Sequence, residues 1–138
     1  MIQQKHWNGW KREQRFLYAL IFPGHRCYIG QTTRLQQRWG EHRRAWPEPF
    51  EPLLLGSIVG TYDEAVDYEH AWRFRAADNG FRVYGEAGGD YFVNPRRQMN
   101  ADRYAIARHC RWPRPWWHRL AHIIAAILAL LVVLALVR

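Results

Sequence analysis

The chain has 138 residues, a formal net charge of +8 and a charged fraction of 23%. This length suits one domain of roughly 100–200 residues rather than two, and the mixed composition excludes a wholly disordered chain. The charge is uneven, because residues 1–98 carry a net +3 and residues 99–138 carry a net +5. Basic proteins typically bind nucleic acid or anionic membrane surfaces, and the two parts of this chain point to different partners.

The first two predicted elements are strands. Residues 15–22 form an aromatic and aliphatic run that ends at the turn pair Pro23-Gly24. Residues 27–29 form a second run, which ends at Gly30. Together they predict a β-hairpin with a loop of about five residues.

A helix is predicted next, over residues 34–45. Trp39 and His42 recur there at helical spacing, and Thr32 or Thr33 is the expected N-cap.

A buried strand and a long helix follow. Residues 53–59 are a third apolar run, and Thr61 with Glu64 forms a capping box that predicts a helix over about 62–77. One face of this helix is expected to pack inward: Ala65, Tyr68, Glu69, Trp72 and Ala76. Glu69 is therefore a carboxylate on the inward stripe, where it either serves a site or pairs with Arg73, its i+4 neighbour.

The remaining soluble segments are less regular. Residues 81–94 contain several glycines and predict a loop or loose hairpin that closes at Asn94, and residues 101–110 predict a short basic helix. The element order predicts an α/β (α+β) domain, with a small, mainly antiparallel three-stranded sheet flanked by helices.

Residues 120–137 predict a transmembrane helix. The segment is apolar except for His122, and at ~1.5 Å rise per residue it spans about 27 Å, close to the ~30 Å of a bilayer core. The preceding residues 99–119 are rich in arginine and tryptophan, which is typical of a membrane interface. The positive-inside rule then predicts a single-pass membrane protein, bacterial or phage-encoded, whose soluble domain faces the cytoplasm. The alternative is a buried core helix.

Three residues of the soluble part stand at equal intervals: Tyr18, Tyr28 and Arg38. Tyr28 opens the triplet Tyr-Ile-Gly at 28–30, and Tyr18 closes the triplet Phe-Leu-Tyr at 16–18. In these motifs the chain resembles the GIY-YIG endonuclease family, although the first triplet lacks the family's glycine. Glu69 on a capped helix and Asn94 before a proline extend the resemblance over residues 15–95.

The resemblance implies a divalent-metal-dependent DNA endonuclease. Glu69 would bind Mg²⁺ or Mn²⁺, and Arg38 would neutralise charge on the phosphoryl oxygens. Tyr18 or Tyr28 would orient or deprotonate the attacking water; Tyr18 is favoured as the base, with Tyr28 positioning the phosphate. His42, one helical turn beyond Arg38, would act as a base or bind phosphate.

The resemblance also implies substrate-binding or structural roles for Gly30, Arg34 and Asn94. Four segments are expected: a polar arm over 1–14, a nuclease-like domain over 15–98, a juxtamembrane segment over 99–119 and the membrane helix over 120–137. The expected partners are DNA and membrane lipid, and the sequence predicts no oligomeric state. The degenerate first triplet leaves an alternative open, a catalytically inactive DNA-binding or membrane adaptor module.

Overall fold

The computed structural model describes residues 9–114 and 116–137, with side chains for all of them except 116–119. In chain order the elements are β1 (Glu13–Phe22), β2 (Arg26–Thr32), α1 (Leu35–Ala45), β3 (Glu51–Gly60), α2 (Tyr62–Asp78), β4 (Arg82–Tyr84), β5 (Phe92–Val93), a 3-10 helix (Pro95–Gln98), α3 (Ala101–Ala107) and α4 (Trp116–Leu136). The strands form one sheet in the order β3-β1-β2-β4-β5. The predicted α+β class is confirmed.

The prediction of a three-stranded sheet is wrong, because the sheet has five strands. β4 pairs with β2 in parallel, whereas the other three pairings are antiparallel. The two added strands are three and two residues long, which is too short for a period-2 pattern to show in a sequence. They lie in the segment that was predicted as a loop or loose hairpin.

The hairpin of β1 and β2 is tighter than expected, since only residues 23–25 separate the strands. Gly24 and His25 both have positive φ angles, 77° and 53°. Glycine adopts this left-handed conformation without steric cost, and histidine is among the residues that tolerate it. The reversal therefore needs three residues rather than about five.

Helices cover both faces of the sheet. Because successive side chains of β1 point to opposite faces, its apolar residues contribute to a core on each side. Leu17 and Ala19 belong to a core cluster that includes residues of α2 and α3. Tyr18 and Leu20 point to the opposite face and join a second cluster, against which Trp39 of α1 packs. The helix that carries Arg38 and the helix that carries Glu69 thus lie on opposite sides of one sheet.

The caps of α1 and α2 differ in how well the sequence indicated them. The Thr61 hydroxyl accepts a hydrogen bond from the Glu64 amide at 3.2 Å, and the Glu64 carboxylate accepts one from the Thr61 amide at 2.8 Å, which confirms the capping box. The predicted N-cap of α1 is wrong. Arg34 occupies that position without a side-chain cap, while Thr32 Oγ1 accepts a hydrogen bond from the Arg34 amide at 3.0 Å.

β3 is an edge strand rather than a fully buried one. Among the strands of the described residues it pairs only with β1, and its Leu54 and Val59 side chains are exposed. An edge strand with one face against a helix leaves alternate side chains in solvent. The apolar run was therefore a poor guide to burial.

α3 is shorter than predicted and packs against α2. The Phe74 and Tyr104 rings lie 5.3 Å apart in an edge-to-face arrangement. Arg103 forms an ion pair with Asp67 at 2.8 Å, and Arg75 Nε donates to the Ala107 carbonyl oxygen at 2.7 Å. These contacts attach residues beyond the 3-10 helix to the same core as β1 and β2.

α4 is an exposed apolar helix. Its side chains from Leu120 to Leu136 are apolar apart from His122, and Ile124 and Leu131 are 55% and 57% exposed. Within the described residues, no helix satisfies the length and hydropathy of a membrane span, so the predicted transmembrane helix is not supported. The interfacial belt that the sequence indicates falls partly on side chains 116–119, which lie outside the described ones.

Candidate active site

A cleft of about 610 Å³ opens where the end of β2, the start of α1 and one face of α2 meet. Ten of the described residues in its walls carry ionisable or phenolic side chains: Glu13, Arg15, Tyr28, Arg34, Arg38, Glu41, Tyr62, Glu69, Arg73 and Glu86. The structure therefore brings together four of the predicted site residues, Tyr28, Arg34, Arg38 and Glu69. They come from β2, α1 with its N-cap, and α2.

Tyr18 lies behind this cleft, fully buried between the sheet and α1. Trp46 Nε1 can only donate, and it donates to His42 Nδ1 at 3.1 Å. A neutral His42 therefore carries its proton on Nε2, which donates to Tyr18 Oη at 2.6 Å. Arg38 Nε donates to the same oxygen at 3.3 Å. His42 is buried as well, and neither it nor Tyr18 is among the residues that line the cleft.

Both tyrosines are held in the neutral form by their surroundings. Burial raises the pKa of Tyr18, and the Tyr28 charge adds to this increase, while Arg38 opposes it. Burial also raises the pKa of Tyr28, as does Glu69 across the cleft, while Arg38 and Arg73 lower it. A phenol with a raised pKa is almost fully protonated at neutral pH.

Gly30 allows the two tyrosines to approach each other. It pairs with Tyr18 across the β1–β2 ladder, and a Cβ atom at this position would lie 2.6 Å from Tyr18 Oη and 3.0 Å from Tyr28 Cε1. Any side chain at residue 30 would therefore displace the Tyr18 ring. The resemblance assigned Gly30 a structural or binding role, and its observed contacts are structural.

Arg38 faces the cleft with its guanidinium partly fixed. Nη1 donates to Glu41 at 2.7 Å on the same helix, and Nε donates to Tyr18. The side chain is 25% exposed, so it remains accessible from the cleft. Arg34 is more exposed and donates to Gln37 at 3.4 Å.

Glu69 pairs with Arg73 and also lines the cleft, so both alternatives for this residue are present together. Arg73 Nη2 donates to Glu69 Oε1 at 2.6 Å. Burial raises the pKa of the Glu69 carboxyl, and the Arg73 guanidinium counteracts that increase. The ion pair with Arg73 therefore favours the ionised form of Glu69, which burial disfavours.

The carboxylate of Glu69 fits a divalent metal with few protein ligands. In the described hydrogen bonds only its Oε1 is engaged, which leaves Oε2 for another cation. The described residues contain no group of three or more His, Cys, Asp or Glu side chains that could enclose a metal ion. Mg²⁺ commonly binds through one or two carboxylates and completes its shell with water and substrate phosphate. The residues present are compatible with that kind of site.

Asn94 lies outside the cleft, and its contact is structural. Its Oδ1 accepts a hydrogen bond from the Arg96 amide at 3.1 Å and caps the 3-10 helix. Two cleft arginines were not predicted as site residues. Arg73 was recognisable only as a partner of Glu69. Arg15 gave no signal in the sequence, because a strand arginine is ordinarily solvated; here it is buried and its Nε donates to the Gly60 carbonyl oxygen at 3.1 Å.

Comparisons of the chain with protein-family models, with curated proteins and with solved structures find no match. The resemblance to the GIY-YIG family therefore depends on the motif residues themselves. The functional interpretation below depends on those residues and on the geometry of the cleft.

Replacing Gly30 with alanine tests whether the Tyr18 position depends on this glycine. Gly30→Ala should lower the free energy of unfolding by about 1–3 kcal/mol, because the added methyl group overpacks the Tyr18 ring. Urea unfolding of the full-length protein in a mild detergent measures the change. Gly56→Ala is the matched control, since Gly56 is also a strand glycine and a Cβ there would meet nothing within 4 Å. Equal effects of the two substitutions would contradict this explanation.

Proposed function

We propose that the protein is a divalent-metal-dependent endonuclease that hydrolyses DNA phosphodiester bonds. The observation that carries the proposal is the convergence of Tyr28, Arg38 and Glu69, from three separate elements, on one cleft. Phosphodiester hydrolysis requires a group that orients the attacking water, a cation for the developing charge and an oxygen ligand for the metal. The cleft offers one residue of each kind.

Arg38 is the residue that meets the developing charge on the phosphoryl oxygens. A guanidinium has five N–H donors in a planar fork, and the bonds to Tyr18 and Glu41 use only part of this set. Those two bonds hold the side chain before substrate arrives. Preorganised donors stabilise a transition state without reorganisation during the reaction.

Tyr28 is better placed than Tyr18 to contact the water or the scissile phosphate. Tyr28 lines the cleft, whereas Tyr18 is fully buried behind it. Tyr18 instead accepts hydrogen bonds from His42 and Arg38, which gives it a positioning role. The base that the sequence favoured is therefore replaced in this proposal by Tyr28.

Glu69 would hold the metal through its Oε2 atom. The bound metal would supply Lewis-acid polarisation of the phosphate and its leaving oxygen. Arg73 opposes the increase in the Glu69 pKa that burial causes, and it holds the carboxylate in one orientation through the bond to Oε1.

Plasmid cleavage tests the proposal. We expect the full-length protein in mild detergent to nick supercoiled plasmid with Mg²⁺ or Mn²⁺, and we expect Glu69→Gln and Arg38→Met each to lower the rate by about 10²–10³-fold. Arg44→Met is the matched control, because Arg44 is exposed on the same helix as Arg38 and does not line the cleft. A parent protein that binds plasmid and leaves it intact would support the alternative, an inactive DNA-binding or adaptor module. Cleavage by Glu69→Gln at the parent rate would contradict the metal assignment.

The pH dependence of cleavage tests the role of Tyr28. Since its pKa is raised above the ordinary tyrosine value, the ionised fraction is small near pH 7 and increases by about tenfold per pH unit. We expect kcat/KM to increase with that slope between pH 7 and 9. In Tyr28→Phe the rate should be low and this slope should be lost, whereas Tyr84→Phe, a buried tyrosine outside the cleft, should keep it. A parent profile that is flat over this range would exclude a tyrosinate base.

We also propose that α4 attaches the protein to a membrane with the nuclease-like domain on the cytoplasmic side. Two observations support it: the exposed apolar side chains along α4 and the arginines that precede the segment 120–137. An exposed apolar surface of this kind indicates a membrane or a protein partner. Membrane lipid accounts best for a helix that is apolar on all sides.

Carbonate extraction of membranes tests the attachment. The full-length protein should stay in the pellet, as an integral protein does. Leu128→Arg with Leu131→Arg should move it to the supernatant, because each arginine costs about 2.5–3.5 kcal/mol at the centre of a bilayer helix. Leu128→Ile with Leu131→Ile is the matched control and should behave like the parent. A parent protein that carbonate releases would exclude integral attachment.

A further inference from the structure

Arg73 is a buried cation with few acceptors. It lies one helical turn beyond Glu69 on α2, is 8% exposed and lines the cleft. Its Nη2 donates to Glu69 Oε1 at 2.6 Å. Its Nε is buried and has no hydrogen-bond partner among the described residues. A buried guanidinium with unused donors costs free energy unless another acceptor satisfies it.

The other buried arginine of the cleft is better satisfied. Arg15 donates through Nε to the Gly60 carbonyl and through Nη1 to Gln31, and its guanidinium lies 5.9 Å from the centroid of the Tyr62 ring. These contacts account for its position as part of the fold. Arg73 has one described acceptor, and that acceptor is the carboxylate proposed to bind metal. Unlike Arg15, Arg73 therefore has donors that a ligand with several acceptor oxygens could satisfy.

We infer that Arg73 binds a phosphate group of the nucleic-acid substrate from the wall opposite Arg38. The inference rests on the proposed function, because it takes nucleic acid as the ligand. Arginine suits this role, since its fork of donors matches two phosphate oxygens. In the free protein Glu69 neutralises the guanidinium. The bond to Glu69 uses only Nη2 of Arg73, so the remaining donors of the guanidinium are left for the phosphate.

The ion pair between Glu69 and Arg73 has an electrostatic consequence. With Glu69 ionised and metal absent, the pair is neutral and the cleft presents little net attraction to DNA. Removing the Glu69 charge leaves the cation of Arg73 without its partner and should strengthen DNA binding. The stronger DNA binding of Glu69→Gln should require Arg73, because the guanidinium donors bind the phosphate and the loss of the carboxylate does not by itself replace them.

Anisotropy of a fluorescein-labelled duplex oligonucleotide in EDTA tests the inference with the full-length protein in mild detergent. We expect Glu69→Gln to lower Kd by about five- to tenfold, and the double variant Glu69→Gln with Arg73→Met to lose that gain. The slope of log K against log salt should be smaller by about one in the double variant than in Glu69→Gln. Arg97→Met is the control, since Arg97 is exposed and lies outside the cleft; it should leave the gain of Glu69→Gln intact.

The comparison does not depend on the single variant Arg73→Met, which would leave Glu69 buried without its cation. Replacing both members of a buried pair by neutral groups of similar shape is close to neutral for stability. Equal Kd values for Glu69→Gln and the double variant would overturn the role of Arg73 while leaving the nuclease proposal intact. If neither the parent nor Glu69→Gln binds DNA at any salt concentration, the nuclease proposal itself fails.

Discussion

The buried hydroxyl of Tyr18 is the polar group on which the arrangement around the cleft depends. A buried hydroxyl without a partner costs about 1–3 kcal/mol, and this one lies in an otherwise largely apolar cluster. Its partners, His42 and Arg38, both come from α1. Since Trp46 in turn donates to His42, three residues at and just beyond that helix have positions tied to one oxygen atom of β1. Apolar packing alone would permit α1 to slide along the sheet, whereas these directional hydrogen bonds hold it in one position.

The fixed position of α1 decides what the cleft contains. Arg38 donates to Tyr18 through Nε and to Glu41 through Nη1, so the same bond that orders the helix also orients the arginine at the cleft. On the other face of the sheet, the capping box of Thr61 and Glu64 sets where α2 begins. Glu69 follows by a fixed number of helical turns. The two groups face one cleft because a cap and a buried hydroxyl fix the helices on both faces of one sheet.

The sequence contained the signals for most of the fold that positions these groups. The Pro-Gly turn, the apolar run of β1 and the Thr61 capping box are local features with direct physical causes, and the hairpin and α2 follow from them. The loose hairpin suggested for residues 81–94 is present as β4 and β5. The bounds of these strands and the parallel pairing of β4 with β2 could not be predicted, since strands of two or three residues depend on their pairing partners rather than on a pattern of their own. The N-cap position of Arg34 was not predicted, because Thr32 lies outside the helix and accepts a hydrogen bond from the Arg34 amide instead of serving as the N-cap residue.

The candidate site was predictable as a set of residues but not as a geometry. Equal spacing selected Tyr18, Tyr28 and Arg38, and the family resemblance added Glu69, yet none of these patterns tells which tyrosine lines the cleft. That depends on how α1 covers the sheet. The two roles that the sequence suggests for Glu69, an ion pair with Arg73 or a ligand in a cleft, do not exclude each other. In three dimensions one oxygen serves the pair and the other remains for the cleft.

The pairing of charges explains how a basic chain can have a cleft with little open positive charge. Arg38 is bound to Glu41 and Arg73 to Glu69. Glu13 and Glu86 line the cleft together with Arg15 and Arg34, so the described lining carries as many carboxylates as arginines. A nuclease built in this way would bind DNA weakly without metal, because each cleft carboxylate competes with phosphate for the same arginine. A metal bound at Glu69 would offset one of these carboxylate charges, which would couple substrate affinity to occupancy of the metal site. Attachment through α4 would then supply the local concentration that weak binding lacks, and it would confine cleavage to DNA that reaches the membrane surface.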